Sequence, residues 1–202
     1  MDRITKLKNV GDAIAADKKL PLYKYRRENN YFSVPGEGSA LARIMFVGEA
    51  PGRNEARTGR PFCGASGKVL DELLAHIGIA REDVFITSVV KDRPPENRDP
   101  TPREIAAYAP YLDRQIEIIQ PKVIAALGRF ACKYLMEKFG LADQLAPIGD
   151  LHGKVSTARA SYGEVKIVPL YHPAAAIYMR SKKAVLKKDF LVLKSKNDDK
   201  KK

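Results

Sequence analysis

The residues of this 202-residue chain that can do chemistry gather behind short apolar runs. Glu49 lies in Gly48-Glu49-Ala50-Pro51-Gly52, immediately after the run Arg43 to Val47. An ionised carboxylate at the end of a buried strand needs a partner or a task. His172 follows Val165 to Leu170 and precedes Pro173, and an imidazole can donate or accept a proton near neutral pH. Ser88 falls near the end of the run Asp83 to Val90, with Lys91-Asp92-Arg93-Pro94-Pro95 behind it, and Gly128-Arg129 closes the run Lys122 to Leu127. A carboxylate, an imidazole, a glycine-rich loop and several cations at successive run ends together amount to a site, and the excess of cations favours contact with phosphate. Each also has a plainer reading. Gly48 and Gly52 can serve turns alone, His172 can be a satisfied core histidine, and Phe62 in Gly59-Arg60-Pro61-Phe62 can be core. His76 and His152 read as structural, and the pairs Lys182-Lys183 and Lys187-Lys188 as a solvated helix face.

The elements that must position these residues alternate in type. Arg43 to Val47, Asp83 to Val90, Lys122 to Leu127 and Val165 to Leu170 have the length and composition of buried strands. From Ser66, Val69, Leu70, Leu73, Leu74 and Ile77 recur at helical spacing and stop near Gly78. Thr101-Pro102-Arg103-Glu104 opens the next helix with an N-cap, a proline at the first helical position and a capping-box glutamate. Its stripe is Ile105, Tyr108, Leu112, Ile116 and Ile119. Residues 129–139 read as a helix, 140–163 carry no clear pattern, and the chain turns helical again from Ala174. This order predicts a parallel sheet with helices on both faces. In such sheets ligands bind outside the carboxyl ends of the strands, where Glu49, Ser88, Arg129 and His172 all fall.

Composition bounds the partners. There are 36 Lys+Arg against 24 Asp+Glu, a net charge of +12, which favours a polyanion. Two cysteines, Cys63 and Cys132, and three histidines argue against a disulfide framework or a structural metal centre. No apolar run reaches the roughly 18 residues of a membrane span, and the start lacks a secretory core, so a soluble intracellular chain is expected. One domain over 1–202 is expected, with a basic segment 1–40 packed on it and a charged flexible tail at 194–202. Lys68, Arg93, Arg129, Arg180 and Lys182, at or near the strand-end rim, are the candidates for phosphate contact.

Four segments taken together resemble the uracil-DNA glycosylase superfamily, and within it the thermostable family-4 type. They are Gly48 to Gly52; Gly59-Arg60-Pro61-Phe62 with Gly64 and Ser66-Gly67; Val89-Val90-Lys91 with Arg93-Pro94-Pro95; and His172-Pro173-Ala174-Ala175. The resemblance runs from about Leu20 to about Leu193. It implies a three-layer α/β/α sandwich with a four-stranded parallel sheet, DNA containing deaminated bases as the partner, and a monofunctional glycosylase that flips its target base. It implies His172 as donor to the pyrimidine O2. Glu49 would activate water or stabilise the sugar cation, and Phe62 would stack on the base. Gly48, Ala50, Pro51, Gly52 and Ser88 would complete the base pocket. A monomer in a prokaryotic cytoplasm, associated with the nucleoid, is expected.

Three departures qualify the resemblance. The family holds a [4Fe–4S] cluster on four cysteines, but the matching positions here are Asp17, Leu20, Asp92 and Tyr108. No cofactor and no metal are therefore expected. Ser88 stands where the family has an asparagine that reads the uracil edge; a hydroxyl is shorter and loses two-point contact, so slower uracil excision or a shift toward hypoxanthine or xanthine is expected. Ala176 and Ile177 stand where a large apolar wedge is usual. The rival reading is a non-catalytic DNA-binding relative. A covalent uracil-trapping relative would need an insert after the second strand that the segment Pro94 to Thr101 does not contain. A small-molecule nucleotide-binding protein fits the sheet but not the charge, with no phosphate-loop motif present.

Overall fold

The computed structural model describes residues 1–194, so the expected tail beyond Lys194 lies outside the described residues. In chain order the strands are β1 (Glu37–Gly38), β2 (Ile44–Gly48), β3 (Phe85–Ser88), β4 (Val123–Leu127), β5 (Ser156–Ala160) and β6 (Gly163–Leu170). They lie side by side as β1-β3-β2-β4-β6-β5. β3, β2, β4 and β6 are mutually parallel, and every residue of β2, β3 and β4 is buried, as the apolar runs require. The expected four-stranded sheet is thus the centre of a six-stranded one. β1 and β5 add antiparallel edges. Neither edge announces itself in the sequence: β1 has two residues, and β5 alternates between half-buried and exposed with only small or polar side chains.

The helices are α1 (Arg3–Ala16), α2 (Tyr23–Glu28), α3 (Arg53–Thr58), α4 (Ala65–His76), α5 (Pro102–Ile119), α6 (Arg129–Lys138), α7 (Ile148–Leu151), α8 (Ala175–Tyr178) and α9 (Arg180–Lys194). The period-two pleat divides the sheet's side chains between two cores. Met45, Val47, Ile124 and Ile167 meet α5 and α6 on one face, through Leu112, Ile116 and Leu135. Ile44, Phe46, Ala125 and Val168 meet α4 and α9 on the other, through Leu70, Leu73 and Phe190. The Phe46 ring stacks on Phe190 at 5.8 Å, and burying such a side chain stabilises the fold by about 1.5–3 kcal/mol. The result is three layers, helix on sheet on helix. α5 begins as its sequence dictates: the Thr101 side chain accepts from the Glu104 N–H, and Glu104 reaches back to the Thr101 N–H.

The first forty residues, weakly periodic as sequence, contain α1 and α2. Only Val10 and Ile14 of α1 are buried, a two-residue stripe too narrow to read as amphipathic. They form a third apolar cluster with Leu20, Leu22, Val90 and Tyr108.

Candidate active site

Successive βα connections bring the chemistry together. β2 ends at Gly48, opposite Ser88 of β3 in the parallel register. The Val89 and Val90 N–H groups donate to the Gly48 and Glu49 carbonyls, so the two strand ends stay joined past the sheet. A cavity of about 340 Å³ opens there. Glu49, Ala50, Pro51 and Gly52 form one wall, with Ser88, Phe62 and His172 around them. Pro94, Asn97 and Arg98 form another. Gly48 is buried at the end of its strand, beside the cavity and against Phe62.

His172 is the best-defined group. The Ala174 N–H donates to its Nδ1 at 3.1 Å. A backbone N–H can only donate, so Nδ1 carries the lone pair and Nε2 carries the proton of the neutral ring. The imidazole lies stacked on Phe62, with centroids 5.5 Å apart. Burial pushes the imidazole pKa down to about 4, against the opposing pull of the Glu55 charge. At neutral pH His172 is therefore an uncharged hydrogen-bond donor. Glu49 shifts the other way: burial and then Asp99 raise its carboxyl above the ordinary 4.5, while Arg129 opposes them.

Glu55 escaped the sequence reading. It lies on α3, lines the same cavity and accepts the Cys63 and Gly64 N–H groups at 3.0 and 2.9 Å. A Cβ on Gly52 would come within 2.7 Å of its Oε2, so glycine there lets the carboxylate approach. Its signal was a second acid six residues after Glu49, on a helix too short to show periodicity. Arg98 was missed as well; its guanidinium is held in two-point contact by Glu104, at 2.8 and 2.6 Å.

The five basic candidates separate. Lys68 and Arg180 are exposed. Arg129 is exposed, paired with Asp99 and laid over the Phe130 ring. Lys182 sits 3.9 Å above the Tyr171 ring. Arg93 departs from the expectation of a surface contact: it is 5% exposed, and its guanidinium donates to Tyr31 and Asn97. A cation inside a basic run reads as surface charge, yet here the loop folds over it. At the wedge position Ala176 is buried, whereas Ile177, Tyr178 and Met179 are exposed, Tyr178 by 85%.

The positions matching cluster ligands do not fit a cluster, for none offers a thiolate. Leu20 and Tyr108 pack in the third apolar cluster. Asp92 is salt-bridged to Arg26 and accepts from Tyr108, and Asp17 accepts from Tyr111 at 2.7 Å. The Cys132 thiol, buried on α6, is pushed up to about 11.

The sheet thus carries a carboxylate behind β2 and an imidazole-proline pair behind β6, two strands away, in a chain whose sequence fits the pattern of the uracil-DNA glycosylase superfamily. That pattern matches residues 35–194, and the chain belongs to the superfamily. Within it the chain is similar to the Type-4 uracil-DNA glycosylase of Sulfurisphaera tokodaii, 46% identical over 191 residues, which are 94% of this chain and 83% of that protein. The Type-4 uracil-DNA glycosylase of Archaeoglobus fulgidus is 46% identical over 177 residues, covering 88% and 86% of the two chains. That of Thermotoga maritima is 46% identical over 151 residues, 73% of each.

Proposed function

We propose that this protein is a DNA-repair glycosylase that hydrolyses the N-glycosidic bond of uracil in DNA, with the target nucleotide flipped into the cavity. The observation that carries this reading is the neutral His172 imidazole on the same cavity as the half-buried Glu49 carboxylate. As the bond between C1′ and the base breaks, its electron pair leaves with the base and positive charge grows on the sugar. A neutral Nε2–H donor serves the base oxygen where negative charge develops, without protonating it beforehand. Ionised Glu49 offers negative charge to the sugar cation and an acceptor for the proton of the attacking water. Water adds its hydroxyl to C1′, and the one proton it gives up to Glu49 passes on to the departed base anion, which restores the carboxylate. Phe62 supplies a face for stacking, worth roughly 1–3 kcal/mol per base. The exposed Ile177, Tyr178 and Met179 supply apolar surface to fill the gap in the stack.

Ser88 supports a broader specificity. It is 4% exposed at the cavity wall and offers a single short oxygen where an amide would reach further. Excision of hypoxanthine or xanthine alongside uracil follows from that loss. We take the chain to act as a monomer, without a resident cofactor, in the DNA-containing compartment of a prokaryotic cell. The deciding experiment incubates excess protein with oligonucleotides carrying each deaminated base and cleaves the abasic product with alkali. Strand scission at uracil supports the enzyme. Binding without scission at any base leaves the non-catalytic DNA-binding relative as the account.

A further inference from the structure

Three consecutive charged residues, Lys91, Asp92 and Arg93, are buried behind the end of β3, and each is hydrogen-bonded to side chains elsewhere in the chain. Lys91 Nζ donates to Thr87 Oγ1 at 2.6 Å and to Gln115 Oε1 of α5 at 2.7 Å. Asp92 accepts from Arg26 Nη1 of α2 at 3.0 Å and from the Tyr108 hydroxyl of α5 at 2.6 Å. Arg26 also donates through Nη2 to the Ala15 carbonyl of α1 at 2.7 Å. Arg93 bonds Tyr31 and Asn97. Directly behind these anchors come Pro94, Asn97 and Arg98, which line the same cavity as Glu49. Glu96 and Asn97 hold left-handed backbone, at φ 55° and 57°, which is uncommon for a glutamate and tolerated by an asparagine.

We propose that the Arg26–Asp92–Tyr108 network is the positioning device of this cavity wall, carrying the placement of α1 and α2 into the substrate site. Asp92 and Tyr108 occupy two positions where the family resemblance puts cluster thiolates, so a buried, hydrogen-bonded ion pair ties together here what a cluster would bridge. The inference rests on the cavity being the base pocket. The hydrogen bonds of the network run among α1, α2, α5 and Asp92, whereas Glu49 and His172 stand behind β2 and β6. Loss of the network therefore loosens the grip on substrate and spares the chemical step. Arg26, Asp92 and Tyr108 are positioning residues.

Tyr108→Phe keeps the ring and removes one bond to Asp92; Asp92→Asn keeps the shape and removes the charge. Both are compared with the wild-type chain on uracil-containing duplex DNA. KM is expected to rise about tenfold, a size within reach of one hydrogen bond to a charged group, with kcat within about twofold. Hydrogen exchange is expected to quicken at the amides of residues 96–98 while α4 and α6 stay protected. An unchanged KM, a fall in kcat without a rise in KM, or exchange that quickens throughout the fold would each overturn the proposal. Where Asp92→Asn fails to fold, Tyr108→Phe decides. Should the wild type release no uracil, the function assigned to the cavity fails, and exchange at residues 96–98 alone decides the positioning role.

Discussion

The ring of Phe62 lies against the imidazole of His172, with centroids 5.5 Å apart and planes 28° apart. Phe62 comes from the turn between α3 and α4 and His172 from just past the end of β6, so the contact ties two distant connections of the chain together at the cavity. Phe62 holds left-handed backbone at φ 46°, a strain of order 1–3 kcal/mol in a residue with a side chain. Two glycines make room for it. A Cβ on Gly67 would lie 1.8 Å from the Phe62 carbonyl oxygen, and one on Gly48 would lie 2.8 Å from the ring.

Gly67→Ala is therefore expected to cost more stability than Gly78→Ala, where φ is +70° but nothing lies within 4 Å. Denaturant unfolding should show a loss of about 1 kcal/mol for Gly78→Ala and a larger one for Gly67→Ala. Uracil release should fall only in the latter. Equal losses in the two variants would mean that the packing of Gly67 against Phe62 is not what holds the ring.

The pH dependence separates the two catalytic candidates. His172 titrates near 4 in the folded chain and near 6.5 unfolded, so between those values the unfolded chain binds more protons. Its contribution to stability is complete above 6.5 and is lost as pH falls toward about 4. Glu49 titrates above its ordinary 4.5, so the acid limb of the single-turnover rate should lie above 4.5 and belong to Glu49. Asp99→Asn should move that limb to lower pH, and Arg129→Met to higher pH. A limb that ignores both changes would take Glu49 out of the rate-determining ionisation.

DNA binding should weaken with salt, by about 0.9 in log K per log salt for each phosphate neutralised. Lys68→Ala and Arg180→Ala should each lower the slope by up to that amount. Arg93→Gln should leave it unchanged, because that guanidinium is committed to Tyr31 and Asn97. A slope that falls in Arg93→Gln would show that the side chain leaves its internal partners for DNA.

Purified protein is expected to be colourless and free of iron, since Asp17, Leu20, Asp92 and Tyr108 present carboxylates, a phenol and an alkyl chain but no thiolate. Metal analysis of protein expressed with ample iron and sulfide checks this. Iron at about four atoms per chain would contradict it.

Much of the fold could be read in the sequence because its central strands are buried on both faces and so appear as unbroken apolar runs. Val123 to Leu127 is such a run, and Thr101 to Glu104 states the start of α5 in four residues. The edges were silent, since Glu37–Gly38 and Ser156–Ala160 bury too little to leave a pattern. α1 was hidden for a related reason: it fully buries only Val10 and Ile14, with Leu7 half-buried beside the core. The rule that ligands gather at strand ends led to Glu49, Ser88 and His172, which share one cavity. It did not lead to Glu55 or Arg98, whose places depend on a six-residue helix and on a loop folded over buried charge. For the same reason Arg93 read as a surface cation.

The most direct test of the account is the single-turnover rate of uracil release by wild type and His172→Ala, measured alongside affinity for the same DNA. Removing a donor used only as charge develops on the leaving base should slow release ~100- to 1,000-fold and leave affinity nearly unchanged. Glu49→Gln should likewise slow release without weakening binding, and Ser88→Asn should raise uracil excision relative to hypoxanthine. Undiminished release by His172→Ala would place the chemistry elsewhere in the cavity, and absence of release by the wild type at high protein excess would contradict the enzyme itself.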